Sequence, residues 1–407
     1  MVPETRARGR VPPFPWAARM PDSTSAARRY AEAMQSRHLV LVGGGHAHLF
    51  VFEALARDPL PGLRVTVIVD RPRAVYSGMV PGYVAGMYRA EELELDVPTW
   101  AERCGAELVL QSATAVDPLA RRVTLADGNS VDYDLCSLDV GSTVAGLDAP
   151  GVREHALATR PIGDFVAQVD ARLERALADA DATRTFPVVI VGAGAGGIEL
   201  AFCLRARAAE AGATADVTVL CSDRGILPGS PPALIRRVER EARRAGITLR
   251  CGARADAVAA DHVVLGDGQT LPSALTVWVT GAAPHPDFRD DALPLSERGF
   301  VHARPTLQAV GHDTLFGAGD CIELVEHPRT PKAGVYAVRQ GPLLAANLRA
   351  ALTGEPLQDY TPQSDFLALL NLGDGRALGS KWGRSFGGRW VMKLKDRIDR
   401  AFMQRFQ

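Results

Sequence analysis

Two glycine-rich turns carry the chemistry most plainly legible in this chain. Gly192, Gly194 and Gly197 follow the apolar run Val188–Val191 and open a helix-like stretch to Ala211. A dinucleotide-binding turn needs glycine first for the tight bend and second so that the backbone can meet the pyrophosphate. It needs a small third residue so that helix and strand pack closely. The helix N-terminus then offers free N–H groups and partial positive charge to phosphate. The earlier turn, Gly43-Gly44-Gly45-His46-Ala47-His48, keeps Gly43 and Gly45 but has His48 third. That bulk predicts a wider helix–strand contact or an altered path. His46 and Ala47 stand beside the cofactor phosphates or in simple packing. An H-x-H start points its rings apart, and no Cys/His cluster has zinc spacing, so no metal is expected.

The acid that meets an adenosine ribose belongs at the end of the second strand. Asp70 stands there after Val65–Val69, while the second unit has Cys221 followed by Ser222, Asp223 and Arg224. Without an acid NAD is not selected over NADP, and Arg224 could meet a 2′-phosphate; the plainer reading of Cys221 is a small buried residue.

The elements that must hold these turns repeat. A short strand, a glycine turn, a helix and a second strand occur from His38 and again from Val188. Short β-rich pieces at Leu108–Leu110, Arg122–Leu125 and Tyr133–Leu138 suggest a small meander. Leu275–Gly281, then Leu315-Phe316-Gly317-Ala318-Gly319-Asp320 and a helix from about Val335 to Leu352 complete the pattern. The expected fold is α/β with two Rossmann-like modules, the second inserted in the first. Residues 38–155 and 285–355 form one domain, 156–284 the other, and 356–407 a C-terminal segment. Residues 1–37, rich in Pro, Ser, Ala and Arg, read as a disordered extension or an upstream start with Met34 nearer the true beginning. Their arginines also permit a transit peptide, but no secretory apolar stretch is present.

Across 407 residues, 46 Lys+Arg balance 47 Asp+Glu to a net charge of −1, which gives no general field for collecting nucleic acid. No apolar run nears the roughly 18 residues of a membrane span. Cys104, Cys136, Cys203, Cys221, Cys251 and Cys321 form no CxxC pair, so no disulfide framework and a reducing compartment are expected.

The two turns, combined with Gly319-Asp320, resemble the two-dinucleotide flavoproteins of the pyridine nucleotide-disulfide oxidoreductase superfamily over about residues 38 to 355. The resemblance implies FAD in the first module and NAD(P)H in the second, with Asp320 near the ribityl or pyrophosphate of FAD. Asp139-Val140-Gly141-Ser142 stands where the family has Ala-Thr-Gly, and Trp278–Ala282 with Gly281 matches its second occurrence. By the same resemblance Pro81 and Ala115 join the FAD-binding residues. The superfamily's disulfide reductases use a cysteine pair beside the flavin, which this chain lacks. What remains is similar to the type II NADH dehydrogenase branch, and more closely to a subgroup that includes flavoprotein regions fused to selenide, water dikinase. Its marks are Gly43–His48, Tyr76–Gly82 and Lys332–Gln340.

That likeness implies roles for Glu199, Lys332 and Tyr336. Glu199 would approach the junction of nicotinamide and flavin, or simply favour its helix N-terminus. Lys332 would place an ammonium near the flavin N1–C2=O edge, or sit as a solvated loop lysine. Tyr336 would wall the acceptor pocket, although Gly334-Val335 and Arg339 replace residues common in quinone-reducing relatives. At the C-terminus Trp390, Leu394, Ile398, Phe402 and Phe406 recur every four residues amid basic side chains. Such a helix lies on an anionic bilayer, or docks on its own domain or a second copy in a homodimer. The function expected is transfer of electrons from NAD(P)H through FAD to a quinone-like acceptor, in the cytoplasm at the inner membrane face. The alternatives are a soluble flavin reductase for a sulfur, selenium or protein partner, and a flavin-binding redox sensor.

Overall fold

The computed structural model describes residues 37–180, 183–221, 225–288 and 292–407. The expected extension lies outside them except for Arg37, as do Ser222, Asp223 and Arg224.

Short runs of Val, Ile and Leu buried along their whole length are what a parallel sheet covered on both faces requires. The first unit runs β1 (His38–Val42), α1 (His46–Arg57), β2 (Arg64–Val69), β3 (Glu107–Leu110), β4 (Ala113–Asp117), β5 (Arg122–Leu125), β6 (Ser130–Asp132) and β7 (Leu135–Leu138). The second runs β8 (Ala156–Ala158), α2 (Ile162–Ala178), β9 (Thr185–Val191), α3 (Ala195–Glu210), β10 (Thr214–Cys221), α4 (Pro232–Ala245), β11 (Thr248–Cys251), β12 (Ala255–Val258), β13 (His262–Leu265), β14 (Thr270–Pro272) and β15 (Leu275–Trp278). The chain then returns to the first unit with β16 (Leu315–Gly317) and α5 (Gly334–Thr353).

The first sheet has the order β16-β7-β1-β2-β3 and the second β8-β15-β9-β10-β11, all pairs parallel. In both, order reverses beside the strand that leads into the glycine turn, β1 or β9, which opens a crevice at the strand ends. Each unit carries a three-stranded antiparallel meander, β4-β5-β6 and β12-β13-β14. The expected meander is therefore corrected: Leu108–Leu110 and Leu135–Leu138 belong to β3 and β7 of the parallel sheet, and the antiparallel strands lie between. A short apolar run does not reveal which kind of sheet will bury it.

The C-terminal segment forms a hairpin sheet, β17 (Ala368–Asn371), β18 (Ala377–Lys381) and β19 (Arg384–Gly388), followed by α6 (Arg389–Phe406). The five-residue apolar stripe on α6 does not act as one face. Four residues advance an α-helix by about 40° more than a full turn, so the stripe swings through about 160° from Trp390 to Phe406. Phe402 stacks on Tyr76 at 4.3 Å, and Phe406 packs edge-on to Phe50 at 5.0 Å. Trp100 Nε1–H donates to the Phe406 carbonyl at 2.6 Å. Trp390 and Ile398, at the start and the midpoint of the swing, remain 57% and 42% exposed. Lys395 and Asp399 turn inward as a buried pair 2.9 Å apart.

Candidate functional site

At the switch point of the first sheet a cleft of about 290 Å³ is lined by the turn Gly43–His46, by Asp70, by Asp139–Ser142, by Arg160–Gly163 and by Asp320. It thus joins the first unit to the segment that leads into the second. Gly43 sits at φ +96°, and a Cβ there would come 2.4 Å from the Asp139 carbonyl oxygen, so only glycine fits. His48, the irregular third residue, is fully buried and braces the turn. Its ring nitrogens lie 2.6 Å from the Gly43 carbonyl and 2.9 Å from Ser137 Oγ. The bulk is used as a strut between the turn and β7.

Asp139 is a residue that glycine spacing did not single out. Its carboxylate accepts from the Ala47 N–H at 2.7 Å and the His48 N–H at 2.9 Å, satisfying two free donors of α1. Among the described residues, the Gly44 and His46 N–H groups make no hydrogen bond. Both residues line the cleft. The His46 Nε2 is buried without a partner, and burial holds that imidazole neutral down to about pH 4. An orphaned buried nitrogen and two free N–H groups in a glycine-walled cleft fit a polar ligand bearing a phosphate.

Burial, opposed by the two N–H donors, raises Asp139 to about 7. The folded protein therefore keeps a proton that the unfolded chain loses between about pH 4 and 7, and this group's contribution to stability falls as pH rises through that window. Asp139→Asn retains an oxygen for both donors and has no titration. Denaturant midpoints should show the wild type losing ground to this variant by about 1.4 kcal/mol per pH unit across the window; parallel profiles would contradict the assignment.

Asp320 is clamped from the opposite wall. Arg160 donates to its Oδ2 at 2.7 Å and to Ser142 Oγ at 2.5 Å. Gly319 lies just behind, at φ +73°, and its N–H donates to Gln340 at 2.6 Å. Gly141, at φ +72°, has no atom within 4 Å of a notional Cβ. Asp70 follows β2 at the cleft edge, paired with Arg71 at 2.8 Å. Ala113 lines the cleft, and Ala115 lies two residues further along β4, outside the lining. Pro81 is buried in the short helix Val80–Val84, also away from it.

Lys332 is half-buried, its ammonium donating to the Ile322 carbonyl and lying 4.0 Å over the Phe300 ring. Burial lowers it to about 8 against the pull of Asp320, so it is not the solvated loop lysine of the alternative reading. Tyr336 is buried near the start of α5, edge-on to Phe366 at 6.0 Å. Neither lines the cleft, although Gly334 and Ala337 on the same helix do. Glu199 is also buried outside the lining. It accepts from the Asn371 N–H of β17 at 2.8 Å, and burial raises it to about 7 despite nearby Lys395. Burial would lower Lys395, but Glu199 and Asp399 hold it above its ordinary value. Tyr76 O–H donates to Asp399 at 3.2 Å, tying this charge cluster to the ring that faces His46 at 5.4 Å.

The second turn repeats the first with one change. Gly192, at φ +120°, would place a Cβ 2.4 Å from the Val279 carbonyl, as Gly43 does against Asp139. Gly197 packs against the Gly192 carbonyl, leaving no room for a side chain. Val279 thus stands where the first unit has Asp139, and among the described residues no side chain caps α3. Gly194, the N-cap of α3, is exposed with nothing within 4 Å of a notional Cβ, and Gly281 opposite is likewise open. The helix terminus faces free space suited to a phosphate.

The cysteines need correction. Cys221 and Cys251 end the adjacent strands β10 and β11 in direct register, their Cα atoms 4.4 Å apart, and form a disulfide. Their separation of 30 residues hid the pairing, because only the sheet brings those strand ends together. Cys104, Cys136, Cys203 and Cys321 are free.

Two doubly wound parallel sheets with two glycine turns, one inserted within the other, define an oxidoreductase built on two Rossmann-type modules. The family described as pyridine nucleotide-disulphide oxidoreductase matches residues 37–341, and the chain belongs to it. Demethylphylloquinone reductase NdbB of Synechocystis is 24% identical, with 81% of this chain and 84% of that one covered. Type II NADH:quinone oxidoreductase of Staphylococcus epidermidis is 22% identical over 90% and 95%. The solved sulfide:quinone oxidoreductase of Aquifex aeolicus shares the fold, with TM-score 0.75, 19% identity and 91% of each chain covered.

Proposed function

We propose that this protein is an FAD-dependent NAD(P)H dehydrogenase that passes electrons to a quinone-like acceptor. The observation that carries the reading is the pair of turns of one design: the first beside a cleft with an orphaned His46 nitrogen, the second with a bare, open helix terminus. The relatives' names supply quinone as the acceptor class. FAD would lie along Gly43–His46, Asp70, Gly141 and Asp320, and NAD(P)H along Gly192–Gly197 and Gly281. Bound there, FAD supplies a group that takes a hydride from nicotinamide and gives electrons to the acceptor.

The protein's part is to orient, exclude water and hold charge. Asp139 fixes the first turn, and Arg160 fixes Asp320. By the family likeness Glu199 would lie toward the junction of nicotinamide and flavin and Tyr336 toward the acceptor pocket, both outside the cleft lining. Lys332, lowered to about 8, holds a proton that it can release near neutral pH, so it suits the acceptor step. In anaerobic stopped-flow, Lys332→Met should slow reoxidation by a soluble quinone on the order of 100-fold. Bleaching by the nucleotide should continue at its original rate. An unchanged reoxidation rate would remove Lys332 from the chemistry.

No helix of the described residues is long and apolar enough to cross a membrane. Contact with the inner face of a membrane would come from Trp382 at the β18–β19 turn, 80% exposed, with Trp390 and Ile398 of α6 among basic neighbours. Trp382→Ser with Trp390→Ser should weaken binding to anionic vesicles at least about tenfold. Turnover with a water-soluble quinone should not change; vesicle binding equal to that of the wild type would remove these two side chains from the membrane contact.

A further inference from the structure

The disulfide lies where the second nucleotide fold ordinarily keeps its ribose-binding acid. Cys221 is the last residue of β10, immediately beyond Leu220, whose carbonyl accepts from the Gly192 N–H at 3.0 Å. The segment after β10 returns to the same turn, where the Leu227 N–H donates to Ala193 at 2.8 Å. On the other side, the Ala253 N–H donates to the Cys221 carbonyl at 3.2 Å, just past Cys251. One bonded strip therefore links the glycine turn to both cysteines. Cys221 is 1% exposed, whereas Cys251 is open to solvent. Cys251 thus lies at the surface, where a solution reagent can approach, and Cys221 is held against the turn.

We propose that Cys221 and Cys251 form a thiol–disulfide exchange site at the adenosine edge of the second nucleotide site, and that its oxidation state sets the affinity for NAD(P)H. The proposal rests on reading that module as the NAD(P)H site. The co-reactant is a low-molecular-weight disulfide. The Cys251 thiolate attacks one of its sulfurs, forming a mixed disulfide and expelling one thiolate. The Cys221 thiolate then attacks the Cys251 sulfur, expelling the second. The two protein thiols lose two electrons and two protons, and the reagent leaves as two thiols. Reduced Cys221 offers a ribose hydroxyl a weak S–H donor and sulfur acceptor. In the disulfide that donor is gone and the sulfur is tied to β11. Reduction should therefore tighten NAD(P)H binding by roughly 2- to 12-fold, the range of one modest hydrogen bond.

The test uses the full-length holoprotein equilibrated with either glutathione disulfide or dithiothreitol, its thiol state read by mass spectrometry after alkylation. Dissociation constants for NADH and NADPH are then measured in each state. The expected result is reversible opening and closing of the bond, with weaker binding in the closed form. Cys251→Ser should bind like the reduced protein in both buffers. Equal constants in the two states would overturn the proposal, as would a bond that neither reagent changes in the folded protein. Failure of wild type and Cys251→Ser alike to bind either nucleotide in either buffer would instead overturn the nucleotide assignment, and the proposal with it.

Discussion

Gly194→Val should give a yellow protein that oxidises neither NADH nor NADPH at ordinary concentrations. The backbone at Gly194 is extended, with φ −68°, which valine adopts readily, and no atom of the described residues lies within 4 Å of the new Cβ. The fold therefore has no reason to object. The space that the valine fills is the space through which a pyrophosphate must approach the α3 terminus. A displacement of about 1 Å costs on the order of 100-fold in a positioned reaction, so kcat/KM should fall by at least that much. Flavin content and thermal midpoint should match the wild type. Loss of colour together with turnover would mean that the two turns do not divide the cofactors as assigned.

Gly45→Val should give the opposite result, a colourless protein. The same position in the first unit is crowded: a Cβ on Gly45 would lie 2.3 Å from the Asp139 carboxyl carbon. Asp139 cannot yield without releasing the Ala47 and His48 N–H groups that it binds. The turn must deform, and with it the free N–H groups that face the cleft. Bound flavin should fall below roughly a tenth of the protein concentration. Because this variant strains the fold as well as the site, Asp320→Ala is its companion. It adds no atoms, and it too should lose colour. Full colour in both variants would contradict the placement of FAD in the first cleft.

The contrast between Gly45 and Gly194 also marks how far the sequence could be read. Both turns, their strands and helices, and the insertion of one unit in the other follow from glycine spacing and apolar runs, because those features are local. Asp139 against Val279 is a tertiary difference: each residue directly follows a strand far along the chain and is brought against its turn only by that strand's parallel pairing with β1 or β9. Arg160 reaching Asp320 across 160 residues, and Cys221 meeting Cys251, were hidden for the same reason. The α6 stripe misled differently. Its four-residue spacing is helical, but the drift of that spacing divides it between a docked end and an exposed one. His48 looked like a flaw in a motif and is instead the strut that the first turn uses.

The most direct test is the visible spectrum of the purified protein under anaerobic conditions, recorded before and after NADH and then NADPH, and again after a soluble quinone. The account predicts flavin bands at about 370 and 450 nm that bleach with at least one nucleotide and return with quinone. A colourless protein, or bands that neither nucleotide bleaches, would contradict it.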